Sequence, residues 1–151
     1  MKSIKFEVGQ FFLVPNSGGS YYIGQIAEIF PELTSVFCYF LDESGIGGCP
    51  SSELAHVLSK KIVAAAMVTP ELLKRGVWKS CDLRAVVSEH PLLAAARALR
   101  ELDFVGVTVN GAGLVPQFLD THFGRLSWDH WASPHLVTRF LEASGVDFRS
   151  P

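Results

Sequence analysis

One stretch of this sequence is rich in side chains that can bind a metal ion. It contains Asp120, His122, His130 and His135, and imidazole and carboxylate groups are common ligands of zinc and iron. The spacing of these residues does not match the H-E-x-x-H motif. Asp120 and His122 are two residues apart on a predicted helix, so their side chains point about 200° apart and cannot easily share a metal ion. We therefore expect no metal or other cofactor, and a small metal-dependent hydrolase that uses the His122–His135 region is kept as an alternative.

The chain has no other pattern that is typical of an active site. A G-x-S-x-G motif for a serine nucleophile is missing. Residues 42–50 contain three glycines but match neither phosphate-binding glycine motif. Asp42 and Glu43 are adjacent, so their carboxylates point apart and do not form an acid/base pair. The sequence therefore predicts a protein without catalytic activity.

The three cysteines, Cys38, Cys49 and Cys81, are odd in number and widely spaced. A secreted disulfide framework has an even and denser set, so we expect three reduced thiols. The charged segment at residues 1–7 lacks the apolar stretch of a secretory signal, and the longest apolar run, Ile62–Val68, is too short to cross a membrane. These features predict a leaderless cytoplasmic protein.

Composition describes one globular domain with a large core. The chain has 151 residues, of which 48% are hydrophobic and 19% charged. The mean hydropathy is positive, which favours apolar surface covered by a partner, and a homo-oligomer is left open. The basic middle of the chain, residues 60–100, has almost no aromatic residues for stacking on bases, so we expect no nucleic-acid partner.

The first part of the chain predicts β-structure. Aromatic and β-branched residues cluster in short runs separated by turn residues, and Gly24 within the second run predicts a bulge or bend. The predicted strands are Gln10–Val14, Tyr21–Ile29, Ser35–Leu41, Ile62–Val68 and Val77–Cys81. We expect an antiparallel, strongly bent SH3-like sheet or a small barrel.

The second part predicts helices packed on that sheet. A short helical turn from Ser51 to Leu58 and another opened by Thr69-Pro70 precede the main group. Later segments are a helix at Pro91–Leu102, a strand at Phe104–Val109, and helices at Leu114–Phe123 and His135–Ala143. The chain is thus predicted to be a single α+β domain over residues 1–151, β-rich at 1–82 and mostly helical at 83–151.

Three tryptophans are expected to play different roles. Trp78 and Trp128 are predicted core residues, and Asp129 is predicted to cap the turn that carries Trp128. Trp131 is predicted to be a partly exposed anchor, because tryptophan is enriched among interface hot spots.

Several of these segments resemble a known family. The matching stretches are Val8–Pro15, Tyr22–Ile26, Thr69–Trp78, Phe118–Gly124, Trp128-Asp129 and Pro134. Together they resemble the bacterial immunity protein 26 family. The resemblance implies a protein that binds and blocks a toxin of a polymorphic toxin system. It carries no catalytic residues to this chain, and Gly9, Pro15, Gly24 and Trp78 match as scaffold positions.

The leading functional prediction is therefore an immunity-type protein that neutralises a cognate toxin by binding it. Toxins that cleave nucleic acids are basic around their active sites, so acidic residues at strand ends are the candidate surface. The predicted partner-binding residues are Glu28, Glu32, Asp42, Glu43 and Trp131. A ligand- or protein-binding adaptor barrel is the second alternative, and a membrane partner is not expected.

Overall fold

The computed structural model describes residues 6–104 and 114–124, and they form an α+β fold built on one sheet. All strand pairs are antiparallel. The strands are β1 (Gln10–Pro15), β2 (Tyr21–Phe30), β3 (Ser35–Leu41), β4 (Ile62–Val68) and β5 (Lys79–Arg84), and their order in the sheet is β4-β3-β2-β1-β5.

Turn chemistry sets the order of the first three strands. The turn after β1 is closed by Asn16, whose backbone N–H donates to the Ser20 carbonyl at 3.0 Å. β2 and β3 are joined by a short 3-10 turn, Pro31–Leu33, which begins with a proline and ends at Thr34 in the left-handed region (φ 48°). These connections are short enough to make consecutive strands neighbours.

Helices cover both faces of the sheet. On one face, α1 (Ser52–Leu58) and α3 (Pro91–Ala98) bury apolar residues against the strands. On the other face, α2 (Glu71–Lys74) and α4 (Leu114–His122) do the same. Because both faces are covered, all of β3 is buried, which explains why its sequence is apolar throughout instead of alternating.

The structure confirms the α+β class and the single antiparallel sheet, but the predicted barrel does not form. In the described part of the chain, β4 and β5 are the two ends of the strand order and do not pair with each other. The helices after residue 90 pack on opposite faces of the sheet. A layer of helices on each face buries the apolar side chains that closure into a barrel would otherwise have to cover.

Within the described residues, local predictions hold for most elements and fail at some boundaries; the predicted strand at Phe104–Val109, apart from Phe104, and the predicted helix at His135–Ala143 lie outside them. Ser51 caps α1 by accepting a hydrogen bond from the Leu54 backbone at 3.2 Å. Pro70, not Thr69, is the cap residue of α2, and no side chain caps that helix. β5 begins two residues later than predicted. Gly24 pairs regularly with Phe12 instead of forming a bulge.

A disulfide corrects the prediction of three reduced thiols. Cys49 and Cys81 are bonded, with their Cα atoms 5.7 Å apart and a sequence separation of 32. The pairing depends on the path of the loop after β3, which cysteine spacing does not reveal. Cys38 is a buried free thiol, and burial raises its pKa well above the usual range, so it is an inert core residue as expected.

Within residues 6–104 and 114–124, none of the helices is both long and apolar enough to cross a membrane.

Candidate functional site

The loop after β3, residues 42–50, combines exposed residues with anchors at several points, and we call it the strap loop. The loop leaves β3 and passes the start of β2. Its far end then lies beside β5. The Asn16 side-chain amide donates to the Ser44 carbonyl at 2.8 Å. Tyr21 and Ile46 exchange two backbone hydrogen bonds, at 2.9 and 3.1 Å. The Cys49 disulfide fixes the far end of the loop to β5.

The first of these three anchors depends on one side chain. The Asn16 oxygen Oδ1 accepts from the backbone N–H groups of Gly18 and Ser20 at 2.9 and 3.1 Å, as asparagine commonly does in turns. Its nitrogen Nδ2 then donates to Ser44. One amide group therefore closes the β1–β2 turn and fastens the strap loop to that turn.

The loop is exposed between its anchors. Asp42 is exposed, and its backbone N–H donates to the Lys61 carbonyl at 2.9 Å. The Glu43 carboxylate accepts from the Gly45 backbone at 3.1 Å. Gly47 and Gly48 have open space around the position where a side chain would begin. The loop thus presents polar groups and uncovered backbone to solvent while its ends stay fixed.

The charge at this end of the sheet is mixed. Lys61 adjoins Asp42 through their backbones. The Lys79 ammonium donates to the Tyr21 hydroxyl at 3.0 Å and lies 5.3 Å from the centre of that ring. The acidic residues of the strap loop therefore share their surface with lysines, which reduces any net negative field.

The other two predicted acids lie at the opposite end of the sheet and form ion pairs within the chain. The Arg97 guanidinium is 3.0 Å from the Glu28 carboxylate and 3.8 Å from that of Glu89. The Arg100 guanidinium is 2.8 Å from the Glu32 carboxylate. These pairs join the chain from α3 onwards to the end of β2 and the turn after it.

Arg100 makes further contacts at this end. It donates to the Ile29 carbonyl at 3.2 Å and stacks 4.5 Å from the centre of the Phe30 ring. Its hydrogen bond to Glu32 lowers the pKa of that carboxyl below its ordinary value. Glu32 is therefore held in its ionised form by a residue of the same chain.

The four predicted acids do not form one surface. Glu28 lies opposite Phe37 in the register of β2 and β3, whereas Asp42 follows the last residue of β3. Five residues of strand separate Phe37 from Asp42, or roughly 17 Å. A partner that covers the strap loop would therefore contact Asp42 and Glu43 but not Glu28 and Glu32.

The predicted scaffold positions have clear structural roles. Gly9 has φ +91°, and a side chain there would meet the Ala85 carbonyl oxygen at 2.7 Å. At Gly24 a side chain would meet the Phe12 ring at 2.4 Å, so its role is to admit that ring. Trp78 is buried and stacks on Phe12 with 5.3 Å between ring centres. Pro15 ends β1.

The structure describes only some of the C-terminal residues for which roles were predicted. Trp128, Asp129, Trp131, His130 and His135 lie outside the described residues, so their predicted roles stay predictions.

The two described residues of that region take different neighbours. The Asp120 carboxylate accepts a hydrogen bond from the Tyr22 hydroxyl. The His122 ring packs against Phe118 and Phe123, at 6.3 and 4.9 Å between ring centres. Across residues 6–104 and 114–124, no three side chains of His, Cys, Asp or Glu are grouped as metal ligands.

Sequence reasoning missed the anchors of the strap loop. Asn16 was placed in a turn by its neighbours, but its bond to Ser44 crosses 28 residues and leaves no local pattern. The arginines 97 and 100 were counted only as part of a basic segment. Their spacing of three residues, which places both on one side of a helix, was the available signal.

Comparison with known proteins finds no match: no family model, no curated protein and no solved structure is similar to this chain.

Proposed function

We propose that this chain is a non-catalytic binding protein of the immunity type, which neutralises a cognate bacterial toxin by covering it with the strap loop. The observation that carries the proposal is the anchoring of an exposed loop at Ser44, Ile46 and Cys49. Binding residues are commonly found on loops positioned by a rigid scaffold. A loop that is ordered before association loses less conformational entropy on binding, so more of its contact free energy becomes affinity.

The proposed partner is a toxin with a basic surface, such as a nuclease. Asp42 and Glu43 would face cationic groups that normally hold the phosphates of its substrate. Because Lys61 lies beside them, we expect the electrostatic contribution to association to be modest. Trp131, which lies outside the described residues, stays a predicted aromatic anchor for the partner. The other acids, Glu28 and Glu32, are reassigned to holding the fold together.

The disulfide of the strap loop also bears on the cellular location that we expect for this protein. A cytoplasmic location was expected from the sequence, in part because the cysteines were predicted to be reduced. The bond between Cys49 and Cys81 argues instead for an oxidising compartment, where disulfides form and persist. Neither the hydrolase nor the adaptor barrel is favoured by a specific contact among the described residues.

The test is binding to any toxin domain that is encoded beside the gene for this chain. Association and dissociation rates would be measured for wild type and for Asp42→Lys/Glu43→Lys, together with protection of cells that express the toxin. Glu53→Lys/Glu101→Lys is the matched control, because it makes the same change in net charge at exposed positions outside the loop.

We expect a stable complex, slower association of the loop variant, and wild-type behaviour of the control. Lack of both binding and protection would reject the immunity function. Full binding and protection by the loop variant would remove the strap loop from the mechanism.

A further inference from the structure

The two cysteines of the disulfide differ in their access to solvent. Cys49 is exposed at the end of the strap loop. Cys81 is only 1% exposed and lies in the core beneath α1 and α3. The rate of thiol–disulfide exchange depends on which sulfur an attacking thiolate can reach. Because Cys49 is the exposed residue of the pair, a thiolate from outside the chain should approach the bond from its side.

The remaining anchors of the loop are weak without the disulfide. They are one side-chain hydrogen bond to Ser44, two backbone bonds at Ile46, and the partly buried Ile46 side chain, which packs against the core cluster beneath α1 and α3. Each such hydrogen bond contributes little net free energy in contact with water, and a partly buried side chain contributes less than a fully buried one. The glycines between these residues gain more conformational freedom on release than other residue types. The disulfide therefore decides whether the loop stays ordered.

We propose that Cys49 is a thiol-exchange site through which a dithiol reductant releases the strap loop. A thiolate of the reductant attacks the Cys49 sulfur and forms a mixed disulfide. The bond to Cys81 breaks, and the electron pair leaves with the Cys81 sulfur, which takes a proton from solvent. The second thiol of the reductant then displaces Cys49 as a thiolate, which is also protonated.

The net reaction is a two-electron transfer. The dithiol is oxidised to a disulfide, and Cys49 and Cys81 become two thiols. The sheet survives this change, because β5 keeps its pairing with β1 and a reduced Cys81 packs in the core as a small apolar residue. Reduction thus alters the loop and leaves its scaffold folded.

The consequence for binding rests on the function proposed above. A released loop must be ordered again when the toxin binds, so the reduced protein should bind more weakly than the oxidised protein. The loop would then present its binding surface fully only under oxidising conditions.

The first experiment locates the attacked sulfur and needs no partner. The oxidised protein is treated briefly with glutathione, acidified, alkylated and analysed by peptide mass spectrometry. We expect glutathione on Cys49 over Cys81 by at least about 10 to 1, because only Cys49 is accessible. Glutathione mainly on Cys81, or a bond reduced only after denaturant is added, would overturn the proposal.

The second experiment follows release of the loop by hydrogen exchange in the oxidised and reduced proteins. We expect the Ile46 amide to exchange at least about 10-fold faster after reduction. The Tyr39 amide, in the centre of the sheet, should stay far better protected than Ile46 in the reduced protein, because it exchanges only when the whole domain opens. Equal protection of Ile46 in both forms would overturn the proposal, and so would equally weak protection of Tyr39 and Ile46 after reduction, which would indicate global unfolding.

The variant Cys49→Ser is the control for both measurements. It should show fast Ile46 exchange with or without reductant, and slow exchange in this variant would mean that the bond does not hold the loop. Because neither measurement uses the toxin, a failure here is distinct from a failure of the proposed binding function. If exchange behaves as expected and the oxidised protein binds no toxin, only the proposed function is rejected.

Discussion

The two ends of the sheet carry the same kind of residue and use it differently. At the end formed by the β2–β3 turn, Glu28 and Glu32 are paired with arginines contributed by α3 and the turn after it. At the end formed by the strap loop, neither Asp42 nor Glu43 has an ion pair with any residue in the described ranges. There the chain is held by backbone hydrogen bonds and a disulfide. Acidic residues that are alike in sequence therefore divide into two that are paired with arginines of the same chain and two that have no paired cation in the described residues.

The largest predicted effect concerns the core that both ends share. Trp78→Ala should lower the free energy of unfolding by about 3–5 kcal/mol, because it removes a buried ring stacked on Phe12 and edge-on to Phe40. Trp78→Phe is the control: it keeps an aromatic ring and removes an indole N–H that has no hydrogen-bond partner within residues 6–104 and 114–124. Chemical denaturation measures both. A wild-type midpoint for Trp78→Ala would mean that this ring does not support the sheet.

The next effect should distinguish the two ends. Cys49→Ser is expected to lower the free energy of unfolding by about 3–4 kcal/mol, because the bond closes a loop of 32 residues in the unfolded chain. Hydrogen exchange should accelerate more at Ile46, where the loop is released, than near Glu28, where only the fall in global stability contributes. Equal acceleration at both sites would mean that the ends are not independent, and the comparison between them would fail.

The third prediction concerns the β2–β3 end and its dependence on pH. The Arg100 hydrogen bond lowers the folded-state pKa of Glu32 below 4.5, so between these pKa values the unfolded chain binds more protons than the folded chain. The stabilisation is present above pH 4.5 and is lost as pH falls through the folded-state pKa. The pair is exposed, so the effect should be small.

Thermal melting between pH 6 and pH 3 tests this prediction in wild type and in Arg100→Gln. The variant should melt slightly lower at pH 6, and its melting temperature should fall less on acidification. Parallel curves would show that the pair does not contribute to acid sensitivity.

Much of the sheet could be predicted from sequence because its signals are local. Runs such as Ser35–Leu41 are rich in aromatic and β-branched residues, and proline and glycine mark the connections. The same apolar runs also suggested a barrel. A strand of a small barrel alternates inward and outward residues, so the nearly continuous apolar run of β3 was a signal of burial on both faces. The order of strands is decided by long-range pairing such as that of β1 with β5.

The site was less predictable because its geometry is not local. Asp42 and Glu43 were identified as candidates from their position in a loop after a strand. Their separation from Glu28 and Glu32 depends on the antiparallel register of β2 and β3, and the disulfide depends on where residues 42–50 cross the sheet. Neither can be derived from spacing along the chain.

The smallest predicted effect on stability belongs to the two acids of the strap loop, and it is the sharpest test of the comparison. Asp42→Lys/Glu43→Lys should change the free energy of unfolding by no more than about 0.5 kcal/mol, since neither carboxylate has a paired cation in the described residues. The double variant should instead associate more slowly with a basic toxin, because the favourable electrostatic steering is lost. Lys61→Glu changes charge with the opposite sign beside Asp42 and should accelerate association. Glu28→Lys, at the other end, should lower stability and leave the association rate of the folded protein unchanged. Rates measured at two salt concentrations check all three variants. If Glu28→Lys slowed association as much as the loop variant did, the partner would sense the overall charge of the protein, and the two ends would not differ in function.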